Sequence, residues 1–83
     1  MMREIICKRL VDLREEKDMK QKEVAEAINV RKRAYSYYET GSRAIPVEIL
    51  SKLADYFNTS IDYIVGRSDE RFPKYWHIFS KFV

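Results

Sequence analysis

Ile6, Leu10 and Leu13 stand at i, i+4 and i+7 with charged residues between them, and this helical spacing constrains the fold more than any other feature. It predicts an amphipathic helix over about residues 3–17, interrupted by Asp18. Val24, Ala25 and Ile28 mark a short second helix over about 21–28, which Asn29 stops, since Asn accepts the left-handed conformation better than most residues. Ala34, Tyr35 and Tyr38 face inward from a third helix, about 31–40, closed by Gly41. Pro46 suits the first turn of a fourth, with Val47, Leu50, Leu53, Ala54 and Phe57 on one side and Asn58 as its left-handed cap. Ser60 is a good N-cap for a short fifth helix carrying Ile61, Ile64 and Val65, which Gly66 ends.

The fold class is therefore all-α. Two Gly and two Pro in 83 residues are too few for a many-stranded β fold. Residues 1–66 form the expected domain; residues 67–83 form a polar link and then an aromatic tail. In that tail Phe72, Tyr75, Trp76, Phe79 and Val83 fall on helical spacing, with Pro73 at a plausible helix start. No apolar run nears the roughly 18 residues of a membrane-spanning helix, and no signal peptide precedes the first charged segment. One Cys (Cys7) and one His (His77) build neither an internal disulfide nor a zinc site. Gly-rich phosphate loops and common hydrolase motifs are missing from the sequence. The expectation is a cytoplasmic protein without metal, cofactor or enzymatic activity.

The net charge of +3 is unevenly spread. Residues 20–43 carry Lys20, Lys22, Arg31, Lys32, Arg33 and Arg43 against Glu23, Glu26 and Glu39, whereas residues 44–66 carry Lys52 against Glu48, Asp55 and Asp62. The middle of the chain is thus basic, and a polyanion is the natural partner. Helix N-termini favour acids by roughly 0.3–1 kcal/mol per group. Lys20 and Lys22 open the second helix, and Arg31, Lys32 and Arg33 open the third. Phosphates approaching both ends would reverse that penalty.

The second and third helices are joined by Ile28-Asn29-Val30-Arg31, and the small Ala25 permits a close crossing. That is the helix-turn-helix arrangement, whose second helix enters the DNA major groove. The continuous run from Leu13 to Gly41 resembles the Cro and phage-repressor helix-turn-helix family, often called the XRE family. The continuation from Ile45 to Gly66 is similar to that family's fourth and fifth helices without an insertion.

The resemblance implies a five-helix, lambda-repressor-like DNA-binding domain. It implies base contacts from Lys32, Arg33, Ser36 and Tyr37, and it makes Gln21 the glutamine that opens the second helix and reaches DNA. Tyr37 is open between stacking on a base or sugar, a phosphate contact and plain exposure. Lys20, Lys22 and Arg31, at the helix starts, join Gln21, Thr40, Ser42 and Arg43 as backbone contacts, with Gly41 in the same loop. Arg14 and Glu39 match a pair joining helix 1 to the end of helix 3. The sequence departs from the family at Asn29, where Gly is usual, and at Lys20 and Arg31, where Ser or Thr would cap. Tyr35 and Tyr38 replace Ile or Val, so their hydroxyls need partners at the core's edge.

The function expected is a sequence-specific double-stranded DNA-binding regulator, a repressor acting as a homodimer on a palindromic operator. Phe72, Tyr75, Trp76 and Phe79 are the candidate dimer contacts, the alternative being a sixth helix folded back on its own domain. The alternative function is an antitoxin of the same fold, with a protein toxin or another regulator as its partner and the tail as the binding element.

Overall fold

The five helices among the described residues all end in the same way. In the computed structural model, which describes residues 2–71, α1 (Met2–Glu16), α2 (Gln21–Ala27), α3 (Lys32–Thr40), α4 (Val47–Tyr56) and α5 (Ile61–Ile64) follow one another without a strand among the described residues. Each is followed by a residue of positive φ: Asp18 at 55°, Asn29 at 59°, Gly41 at 79°, Asn58 at 55° and Gly66 at 85°. The N–H of the next residue then donates back to a carbonyl of the last turn: Met19 to Arg14 (3.2 Å), Val30 to Ala25 (2.9 Å), Ser42 to Tyr37 (3.0 Å), Thr59 to Ala54 (2.9 Å) and Arg67 to Asp62 (2.8 Å). These bonds satisfy carbonyls that a helix end otherwise leaves open. Two of the five positions are glycines where a Cβ would be crowded as well as strained in φ. A Cβ on Gly41 would stand 3.2 Å from Cys7 Sγ, and one on Gly66 would stand 2.7 Å from the Ile5 side chain.

The core lies where α1 crosses α3 and α5. Leu10 and Leu13 of α1, Val24 and Ala25 of α2, Tyr35 of α3, Leu50, Leu53 and Ala54 of α4, and Tyr63 and Ile64 of α5 are buried together with Ile28 and Phe57. Ala25 is fully enclosed where α2 packs on α3, which allows the close crossing its size suggests. Ser60 caps α5 by accepting the Tyr63 N–H at 3.0 Å.

Three details depart from the sequence reading. Val47, expected on the inner side of α4, is 73% exposed, because it is the first helical residue and lies beyond the end of the packed face. Pro46 is the N-cap of α4 rather than part of its first turn. Tyr35, expected at the core's edge, has no exposed surface at all, and its hydroxyl is buried without a well-formed hydrogen bond among the described residues. Tyr38 does lie at the edge, half-buried against the core.

Residues 67–71, which read as a polar link, are fastened to the domain. Arg9 of α1 donates to the Tyr63 carbonyl, to the Ser68 carbonyl (2.7 Å) and to Asp69 (3.0 Å). Arg71 pairs with Glu16 at 2.5 Å, and its own carbonyl accepts from the buried Thr59 hydroxyl at 2.8 Å. The Tyr63 ring sits between the two guanidiniums, 4.2 Å from Arg9 and 5.5 Å from Arg71. The docked chain thus runs past Gly66 to Arg71, because two arginines supply donors that periodicity does not register. Phe72, Tyr75, Trp76 and Phe79, the candidate dimer contacts, lie outside the described residues.

Candidate nucleic-acid interface

Arg31 holds an extended backbone as the N-cap of α3 (φ −72°, ψ 144°), and Lys32 and Arg33 are the helix's first two residues. All three side chains are exposed, and none makes an ion pair or side-chain hydrogen bond among the described residues. The first turn of α3 holds no acid to offset them. Ser36 lies one turn beyond Lys32 and Tyr37 one turn beyond Arg33, so the four share one side of α3. Both are half-buried.

The start of α2 is less one-sided than the sequence suggests. Lys20 and Lys22 are exposed there, yet Glu23 reaches back to accept the Lys20 backbone N–H at 2.7 Å. That acid satisfies one open donor of the helix end and offsets part of the local positive charge. The unrelieved excess of cations is therefore at α3.

At the end of α3 and just past it, Thr40, Ser42 and Arg43 are exposed around Gly41. Thr40 Oγ1 and Ser42 Oγ lie 2.8 Å apart, and Thr40 also bonds the Tyr37 carbonyl at 3.2 Å. The Arg43 guanidinium stacks 4.7 Å from the centre of the Tyr37 ring. Tyr37 thus gives Arg43 a preferred resting place, an attraction of about 0.5–1 kcal/mol at an exposed site.

Beneath this surface lies a buried polar hub. Glu39, 8% exposed, accepts Arg14 Nε at 2.7 Å on one oxygen and Arg14 Nη2 at 3.2 Å on the other. The second oxygen also accepts Gln21 Nε2 at 3.0 Å. Arg14 Nη1 donates to the Met19 carbonyl at 2.9 Å, so α1, α3 and the start of α2 meet at one carboxylate. Burial alone would raise the Glu39 pKa, but the bonds from Arg14, with Tyr35 and Gln21 beside it, hold the carboxyl below its usual range. The same burial and the adjacent carboxylate drive the Tyr35 phenol strongly upward, so it stays neutral.

The sequence placed Arg14 against Glu39 and placed Gln21 separately, as a DNA contact; the structure brings all three together. No signal in the sequence marks the Gln21–Glu39 bond, since the two residues are joined neither by periodicity nor by opposite charge. Arg9 and Arg71 escaped notice for similar reasons: Arg9 donates mostly to backbone carbonyls, and Arg71 finds Glu16 on a helix distant in sequence. Groups of metal-ligating side chains are not found among the described residues. Two open grooves flank α4, one lined by Ala27, Ile28, Asn29, Lys52, Asp55 and Tyr56, the other by Ser51, Ala54, Asp55 and residues 59–62.

A helix-turn-helix family model matches residues 10–64. The uncharacterized HTH-type transcriptional regulator YobD of Bacillus subtilis is 37% identical over 68 residues, covering 82% of this chain and 61% of its own length. The cryptic phage CTXphi transcriptional repressor RstR of Vibrio cholerae is 40% identical over 58 residues, covering 70% of this chain and 52% of its own. The chain thus spans about half to three-fifths of the length of these relatives. A crystal structure of a transcriptional regulator from Listeria innocua superposes with a TM-score of 0.70 at 32% identity, over 94% of this chain and 77% of that one.

Proposed function

The chain belongs to the XRE-type helix-turn-helix family, and from that premise we propose that it is a sequence-specific regulator of transcription that binds double-stranded DNA and represses. The observation that carries this reading is the set of exposed cations at the start of α3, on the second helix of the motif, that are unpaired among the described residues. Arg33 with Lys32 is aimed at base edges, since arginine binds guanine O6 and N7 through two parallel donors. Ser36 allows close approach, and Tyr37 lies beside them. Lys20, Lys22, Arg31, Thr40, Ser42 and Arg43 meet the phosphates on either side, with Gln21. Arg14 and Glu39 hold the frame that carries them. The repressor reading ranks above the antitoxin reading because a relative of 40% identity is named as a phage repressor.

Fluorescence anisotropy with duplexes selected from a random pool, repeated across a salt series, tests this. A preferred duplex should emerge, and log K should fall with log salt by about 0.9 per phosphate contact. A flat salt response, or equal binding to all duplexes, would refute it. Two copies on a palindrome would set their α3 helices about 34 Å apart, one turn of the duplex. We assign that pairing to the segment after Arg71. Sedimentation of a chain ended at Arg71 should then show a monomer where the full chain is a dimer.

A further inference from the structure

We infer that Glu39 is the positioning residue for Gln21, fixing which atoms of that amide face the DNA. The inference rests on the DNA-binding reading above and deepens it. A glutamine amide can turn over, exchanging its carbonyl for its NH2 at little cost when both ends face water. Gln21 is not free to do so. Its Nε2 lies 3.0 Å from Glu39 Oε1, and a carboxylate that is held ionised accepts and never donates. The Gln21 NH2 group must therefore be the end that faces Glu39. Arg14 fixes Glu39 itself through two bonds, and Arg14 is in turn tied to the Met19 carbonyl just before α2. The amide is thus set by a chain of bonds that begins on α1 and ends at the opening residue of α2.

Its chemical consequence is specific. One Nε2 hydrogen is engaged by Glu39, leaving the other to donate. Gln21 is half-buried, so one outward N–H in a fixed direction suits a single phosphate oxygen, which only accepts. Arg14 matters for the same contact in a second way. A carboxylate close beneath a phosphate would repel it, and the guanidinium cancels that charge. The hub then presents a directed neutral donor where an unpaired glutamate would present a like charge.

The test uses the full chain, first free and then with its selected duplex. In the free protein, NMR should show one Gln21 side-chain amide proton shifted and exchanging slowly with water. Both features should disappear in Glu39→Gln, whose amide no longer compels the orientation. A Gln21 amide indistinguishable from that of an exposed glutamine would overturn the inference without any variant having to fold. With DNA, single phosphates are replaced in turn by neutral methylphosphonates. One position should cost wild type about three- to tenfold more than it costs Gln21→Met, the scale of one hydrogen bond. Glu39→Gln should lose the same sensitivity at the same phosphate while the other positions keep theirs. An identical phosphate profile in wild type and Gln21→Met would overturn this inference alone. Failure of the full chain to prefer any duplex would overturn the DNA-binding reading and this inference with it.

Discussion

Arginines serve two opposite purposes in the two halves of this molecule. On the inner and rear side, Arg9, Arg14 and Arg71 are spent: each meets a carboxylate, and Arg9 and Arg14 also meet backbone carbonyls. At the start of α3, Arg31 and Arg33, with Lys32, make no ion pair or side-chain hydrogen bond among the described residues. A guanidinium has five donors in a rigid fork, so a saturated one acts as a clamp between helices and an unsaturated one is available to an anion. Residue type does not separate the two uses. Position does: the spent arginines lie among the apolar positions of α1 or beside Tyr63, whereas the free ones crowd a helix end whose dipole disfavours them.

The sharpest way to break this contrast is to remove a clamp. Arg14→Ala leaves Glu39 buried and uncompensated, and unfolding in urea should show a loss of about 3–5 kcal/mol. Adding Glu39→Ala removes the stranded charge, so the double variant should be more stable than the single one. If the two losses simply add, the pair is not a coupled unit. The reverse substitution is on the free side. Arg33→Ala should cost about 1–3 kcal/mol of binding free energy and relax preference at one base position. Its stability should stay within about 0.5 kcal/mol of wild type, as expected of an exposed residue without partners among the described residues. A large fall in melting temperature would place Arg33 among the clamps instead.

The smallest effect is on acid stability. Glu39 titrates below the ordinary carboxylate range in the fold, as does Glu16 through its bond to Arg71. A depressed carboxyl stabilises the fold above its unfolded pKa, and that contribution is lost as pH falls through the folded one. Melting temperature should thus decline below about pH 4.5, and less steeply in Glu39→Gln. An equal slope in both would remove Glu39 from the account.

How much of this was legible in the sequence depends on what kind of interaction is involved. Helix ends were readable at Asn29, Gly41, Asn58 and Gly66, because a left-handed residue is a local requirement with a narrow choice of side chains. Leu10, Leu13, Leu50 and Leu53 were readable because burial repeats with the helix period. Val47 fits the same period and yet is exposed, since periodicity gives a direction and not the extent of the packed face. Tyr35 misleads for another reason. Its ring obeys the apolar pattern, and its hydroxyl, which suggests an edge, is carried inside with the ring, without a well-formed hydrogen bond among the described residues. The cationic start of α3 was visible from charge counting, whereas the balancing role of Glu23 at α2 needed the geometry of its bond to Lys20.

The shared manner in which the helices stop has a kinetic meaning. Each stop is written within about six residues of chain, so the length of every helix is decided before distant parts of the sequence meet. Little search remains for the ensemble once short helices form: α2 and α3 are already neighbours through a four-residue turn, and α4 and α5 through another. The slow event expected of this topology is α1 reaching α3 and α5, since those contacts close long loops. Topologies rich in such local contacts fold in about microseconds to milliseconds. A chain built this way regains its native state quickly after each opening, spending little time with its apolar faces uncovered.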